Sequence, residues 1–178
     1  MEAVGYDLYC KMLNEAVKRL RGEKTEQSDF ETSVEIKVDA FIPVSYIRNE
    51  FQKLDIYKRI AELETEEERS DMTDELVDRF GEPPKSVINL LSIALLKAKA
   101  HQAYIVEIAS KKGGLCFTMF PQAKIDALKI PPMIERMGRR LRFVTEPKPY
   151  FYYKPEGDLL EQAEMIVNEI LKLCDNKQ

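Results

Sequence analysis

In the first half of the chain apolar positions recur with the period of a helix; in the second half they alternate or cluster in short β-prone runs. Between Gly5 and Arg21, the residues Leu8, Met12, Leu13, Ala16, Val17 and Leu20 fall on one helical face, and Gly22 stops the pattern. Residues Gly22 to Ser33 are polar but for Phe30 and read as a linker. From Val34 the chain alternates, with Val34, Ile36, Val38 and Ala40 on one side and charged residues between them, which predicts a half-buried strand ending at Pro43. Ser45 is placed to cap a helix over Tyr46 to Glu64, with Ile47, Phe51, Leu54, Tyr57, Ile60 and Ala61 as its buried stripe. Thr65 to Glu68 has the form of a capping box, which opens a further helix expected to end at Gly81. Pro83 and Pro84 begin the next, running to about Ala103. It is apolar around most of its circumference, as expected of a central core helix.

Beyond it, Tyr104 to Ser110 and Leu115 to Phe120 read as strands joined through Lys111-Lys112-Gly113-Gly114, a hairpin signal. A short helical piece near Gln122 to Leu128, a break at Pro131-Pro132, and strands at Arg140 to Thr145 and Pro149 to Tyr153 follow. Asp158 and Glu161 then cap a last helix whose stripe is Leu159, Ala163, Ile166, Val167, Ile170 and Leu171. The sum is an α+β fold, with a helical first half followed by a small, mostly antiparallel sheet packed against the C-terminal helix.

Composition narrows the function classes. Cys10, Cys116 and Cys174 are odd in number, far apart and in no C-x-x-C arrangement, which suits reduced thiols of the cytoplasm acting as core fillers. No run approaches the ~20 apolar residues of a membrane span, so a soluble, unexported protein is expected, with no membrane partner. Catalytic convergence is missing. His101 is the single histidine, on a helix between alanine-rich turns, and no Cys/His spacing suggests a metal. Gly22-Glu23-Lys24-Thr25 lacks the glycine that a phosphate-binding loop needs directly before its lysine. No cofactor and no enzymatic activity are therefore expected of this chain.

Charge, by contrast, is concentrated. Between Glu62 and Glu82 ten acidic residues face two basic ones, a local charge of -8 against -4 for the whole chain. At about 100° per residue, Asp71, Asp74, Glu75 and Asp78 share one helical face and Met72, Leu76 and Phe80 the other. The helix dipole accounts for Glu66 to Glu68 but not for acids in the second half, so a partner bearing a basic patch is the competing explanation. The opposite sign gathers at Arg136, Arg139, Arg140 and Arg142, with Lys111 and Lys112, followed by the aromatic run Tyr150 to Tyr153. Basic residues with aromatics can hold nucleic acid, although alternation in a strand would bury about half of those rings.

Three blocks carry a resemblance: Gly5-Tyr6-Asp7-Leu8-Tyr9 with Met12-Leu13 and Ala16-Val17; Val38 to Pro43 with Tyr46-Ile47; and Leu54, Ile56-Tyr57-Lys58-Arg59 leading to Glu75-Leu76-Val77-Asp78-Arg79-Phe80-Gly81 and Pro84. Together they resemble the carboxy-terminal region of the bacterial transcription-repair coupling factors, from Gly5 to about Leu91; Glu82-Pro83 departs from that pattern. The resemblance implies a parent with an ATP-driven DNA translocase, which displaces stalled RNA polymerase and recruits UvrA, the damage-recognising A subunit of the excision nuclease. It divides the chain into a helix at 1–21 from the preceding translocase module, a linker at 22–33 and a regulatory domain at 34–178. It also implies docking of that domain on an amino-terminal UvrB-like module, masking the UvrA-binding surface and restraining the motor. Carried onto the matching motif, Glu75 and Asp78 are the expected contacts for arginines of that module, with Asp71 and Asp74 behind them, Phe80 as core and Arg79 undecided. The alternative is an accessory nucleic-acid-binding domain using Arg139, Arg140 and Arg142.

Overall fold

A computed structural model describes residues 30–174 of the 178; the expected helix at 5–21 and Cys10 lie outside the described residues. The chain divides into two compact units, whose described parts are residues 38–98 and residues 30–37 with 99–174.

The first unit is helical. It contains α1 (Glu50–Ala61), α2 (Glu66–Phe80) and most of α3 (Lys85–Gln102), whose last turn belongs to the second unit. Residues 38–49 form a loop that buries Ala40, Ile42 and Ile47. Its backbone is tied down: Ile42 N–H donates to Tyr57 Oη at 2.8 Å, Phe41 N–H to the Ser86 carbonyl at 3.2 Å, and Asn89 Nδ2 to the Asp39 carbonyl at 3.0 Å. The Tyr46 hydroxyl lies 2.8 Å from the Gly81 carbonyl and 3.2 Å from that of Leu76, so it satisfies the C-terminus of α2. As expected, α3 is buried on most sides, at Val87, Leu90, Leu91 and Ile93 to Leu96.

The helix expected from Tyr46 starts later. Tyr46 and Ile47 N–H groups both donate to the Pro43 carbonyl in a turn, and Asn49, not Ser45, caps α1 by accepting from Gln52 N–H at 3.0 Å. The buried stripe is accordingly Ile56 and Ile60, with Leu63 just beyond the helix. Phe51 lies about 140° and Leu54 about 200° around the helix from Ile56. Both were expected inside; they are 84% and 44% exposed.

The second unit is a five-stranded sheet in the order β1-β2-β3-β5-β4: Ser33–Glu35, Ile105–Lys111, Gly114–Met119, Tyr150–Tyr153 and Leu141–Val144. β1 runs parallel to β2 and every other pair is antiparallel, so the sheet is mixed but mostly antiparallel. The strand expected over Val34 to Ala40 pairs only at Ser33–Glu35; the chain then bends and enters the first unit. Phe30 and Thr32, at the end of the stretch read as linker, are buried here. Thr32 Oγ1 donates to the Ile105 carbonyl at 2.7 Å, leaving its oxygen to accept from His101 Nδ1 at 3.2 Å.

The β2–β3 hairpin turns through Lys112 and Gly113, both at positive φ (51° and 76°), the tight two-residue geometry that matches strand twist. Pro131 and Pro132 do not break the chain. They lie in the first turn of α4 (Ile130–Met137), where a missing N–H costs nothing. The helix expected near Gln122 is replaced by a single 3-10 turn at Ala127–Lys129, capped by Asp126. α5 (Leu159–Leu171) begins at Asp158, which accepts from Glu161 N–H at 3.0 Å, and buries Ala163, Ile166, Val167 and Ile170. It is tied to the sheet where Tyr153 Oη donates to Gln162 at 2.8 Å. Cys116 is buried and Cys174 half-buried.

Candidate docking surface

α2 presents the acidic face. Thr65 accepts from Glu68 N–H at 3.1 Å while the Glu68 carboxylate accepts from Thr65 N–H, a reciprocal cap that fixes where the helix starts. Gly81, at φ 89°, ends it. Met72 and Leu76 are 5% and 0% exposed, so this side is anchored in the core. Asp71, Asp74 and Asp78 are exposed on the other.

Glu75 belongs to that row but does not stand free. Arg59, on α1, donates from Nη2 to Glu75 Oε1 at 2.8 Å and from Nη1 to Oε2, a two-pronged pair. Arg79, one turn along α2, adds a bond from Nη1 to Oε2 at 3.1 Å. Hydrogen bonding from Arg59 is the chief reason that the Glu75 carboxyl is lowered to about 2; partial desolvation opposes it, and the Arg79 bond adds to it. The same bond raises Arg59 above the ordinary guanidinium value. Arg79 also lies 4.9 Å over the Phe80 ring, which packs on Tyr46 at 5.9 Å. Phe80, expected in the core, is only half-buried, lying between Arg79 and Tyr46. Arg79, left open by sequence, belongs to the carboxylate cluster. The Glu75–Arg79 spacing of four was visible in sequence; Arg59 was missed because it reaches Glu75 from another helix.

The basic residues are only partly brought together. Arg142 on β4 sits opposite Tyr152 on β5 and stacks over its ring at 5.1 Å. Tyr150 and Tyr152 are half-buried on one side of the sheet, with Phe151 and Tyr153 buried on the other, the division that alternation predicted. Tyr152 Oη donates to the Lys112 carbonyl at 3.0 Å, which brings the hairpin lysines to this side. Arg136 is spent on Glu169 at 3.2 Å and Arg140 on Glu156. Arg139 is exposed, with no partner among the described residues.

Among the described residues no group of His, Cys, Asp and Glu is arranged to hold a metal ion, and no helix is long and apolar enough to cross a membrane. His101 is half-buried against Phe30, with ring centroids 4.5 Å apart.

Residues 36–130, more than half of the chain, match the family model of the TRCF domain. This chain belongs to the TRCF family. The match contains α1, α2, Arg59 and the whole acidic row, and ends before Arg136. Among TRCF relatives, the transcription-repair-coupling factor of Bacillus subtilis (strain 168) is 35% identical over 150 residues, which are 83% of this chain and 13% of that protein. That of Staphylococcus haemolyticus (strain JCSC1435) is 43% identical over 112 residues, 62% of this chain and 10% of that protein. The chain therefore spans a small part of these relatives. A solved structure described as the C-terminal domain of transcription-repair coupling factor superposes with a TM-score of 0.74, covering 84% of this chain and 97% of that one at 20% identity. The TRCF fold is shared. The chain thus carries the TRCF domain of this family.

Proposed function

We propose that this domain regulates its parent by docking, through the outer face of α2, on an amino-terminal UvrB-like module of the same polypeptide. Docked there, it masks the surface that UvrA requires and restrains the ATP-driven DNA translocase until the parent engages stalled RNA polymerase. The observation that carries this reading is the exposed row Asp71, Asp74 and Asp78 beside Glu75, on a helix whose opposite side is fixed by Met72 and Leu76. Such a surface complements arginines and is rigid before binding, so little ordering accompanies the encounter. A contact made mainly of charge also opens more readily than a large apolar one. On this reading residues 1–21 are the tail of the translocase module and residues 22–33 lead into the regulatory domain.

The test is a titration of this chain with the amino-terminal module, repeated with UvrA as competitor. Glu75→Ala combined with Asp78→Ala should weaken binding about tenfold, the worth of two exposed charge contacts. UvrA should compete. Unchanged affinity in the double variant would remove α2 from the interface.

A second reading rests on Arg142 stacked over Tyr152, with Arg139, Lys111 and Lys112 exposed: an accessory nucleic-acid surface. It has fewer free charges, because Arg136 and Arg140 are already paired. Anisotropy titrations with single- and double-stranded DNA at low salt decide it, and no binding there ends it.

A further inference from the structure

The helices of the second unit gather on one side of its sheet. α5 is tied to that side through Tyr153 and Gln162, and α4 and the last turn of α3 are joined to α5 by Arg136–Glu169 and Lys99–Glu164, each at 3.2 Å. On the opposite side of β3, β5 and β4, register aligns Cys116, Tyr152 and Arg142 in one row and Thr118, Tyr150 and Val144 in the next. The tip of the Tyr152 ring lies over Gly114, where a Cβ would come within 2.5 Å, and its hydroxyl donates to the Lys112 carbonyl, so the ring is held down on the sheet. Arg142 is exposed and lies over that ring at 5.1 Å. A guanidinium held in this way keeps its outer face for a second planar group, and it has no carboxylate partner among the described residues. Lys111 and Lys112, exposed at the hairpin that Tyr152 touches, likewise have none. The acids on this side of the sheet, Glu35 and Glu107, stand on β1 and β2, away from β5 and β4.

We propose that this side of β3, β5 and β4 binds single-stranded nucleic acid: an unpaired base stacks on the outer face of Arg142, and Lys111 and Lys112 hold the adjoining phosphates. This rests on the second reading above and names its ligand. Because the Tyr152 ring already holds the guanidinium, little side-chain freedom is lost on binding. Tyr150 follows two residues away on β5, about 7 Å from Tyr152, and offers a second planar surface for the next base. Bases of a duplex are stacked about 3.4 Å apart, so both positions are filled only by a strand whose bases are splayed. A duplex would present phosphates to the lysines alone. An acidic protein segment would satisfy the charges without using the stack.

Fluorescence anisotropy of the intact chain at low salt tests this with labelled probes of about ten nucleotides: oligothymidylate, oligouridylate, a duplex, and a deoxyribose-phosphate strand without bases. Oligothymidylate should bind about tenfold more tightly than the baseless strand, the worth of one stacked base. Oligouridylate should bind like oligothymidylate, since neither proposed contact touches the sugar; a strand bound only as RNA would overturn the account. Arg142→Lys keeps the charge and removes the plane. It should weaken oligothymidylate about fivefold and leave the duplex and the baseless strand nearly unchanged. Lys111→Gln with Lys112→Gln should weaken every probe and flatten its salt dependence. Arg136→Gln is the charge control: it removes a cation from the helix side of the sheet and should change little, and a loss as large as that from the lysines would overturn the placement. Equal affinity for the baseless strand, or an Arg142→Lys variant that loses the duplex as much as oligothymidylate, would overturn the stacking assignment and leave a phosphate-binding surface standing. Absence of binding by every probe would end that second reading as well.

Discussion

Gly114 has no room for a side chain. A Cβ there would lie 2.5 Å from the Tyr152 ring and hydroxyl, so Gly114→Ala must push the ring aside. That movement removes its hydrogen bond to Lys112 and the stacking of Arg142, and a cost of about 1–2 kcal/mol is expected in urea unfolding. Tyr152→Phe, which keeps the ring, should cost less. Glu75 gives a prediction of a different kind. Its folded carboxyl is lowered to about 2 from an ordinary 4.5, so its contribution to stability is fully present above the ordinary value and disappears as pH falls toward the folded one. The native chain should therefore exceed Arg59→Met in urea midpoint at pH 7, and the gap should narrow steadily between about pH 5 and pH 2. Because the cluster is a third exposed, the gap at neutral pH is expected to be at most about 1 kcal/mol. A gap that widens in acid would mean that Arg59 stabilises the fold by some route other than Glu75.

α2 is the element on which the candidate site depends, and two substitutions test its two attachments. Thr65→Ala removes one half of the reciprocal cap and should cost about 1 kcal/mol. Leu76→Ala, at a position fully buried in the first unit, should cost about 2–5 kcal/mol, and both are read from thermal or urea unfolding. The ends of α2 and α5 could be read from sequence because their signals are local: Thr65 with Glu68, Gly81, and Asp158 with Glu161 each act within one turn. α1 was misplaced because Ser45 and Asn49 are equally good caps, and a turn onto the Pro43 carbonyl decides between them. The error carried through to the stripe, turning Phe51 and Leu54 outward. Pro131 and Pro132 were ambiguous for a related reason, since the same pair ends one helix or opens another. The site follows the same division. The row from Asp71 to Asp78 is a matter of helical period and was legible, whereas the Arg59–Glu75 pair joins two helices and exists only once they have packed.

In the molecule as a whole, chain order and unit membership do not coincide. β1 belongs to the second unit, the chain then builds the first unit, and it returns along α3 to form β2, the parallel partner of β1. The first unit is thus the connection between two paired strands. While it is folded its ends are held, and the pairing of Ser33–Glu35 with Glu107–Ala109 needs little further ordering. Once it unfolds, the same pairing must close a flexible loop of roughly 70 residues, at about 4 kcal/mol by chain statistics. A three-residue edge strand, even with the Thr32 hydroxyl on the Ile105 carbonyl, has few interactions to offset that. β3, β5 and α5 carry no such dependence, because their partners lie close in sequence or are fixed by side chains of the same unit, as with Tyr153 and Gln162. Leu76→Ala, which weakens only the first unit, should accordingly raise amide exchange at β1 and along the facing edge of β2 together with α1 and α2. Protection in β3, β5 and α5 should stay near its native level. Hydrogen exchange resolved by residue reads both at once, and β1 amides that remain protected while α2 exchanges would show that the edge strand is held independently of the unit inserted behind it.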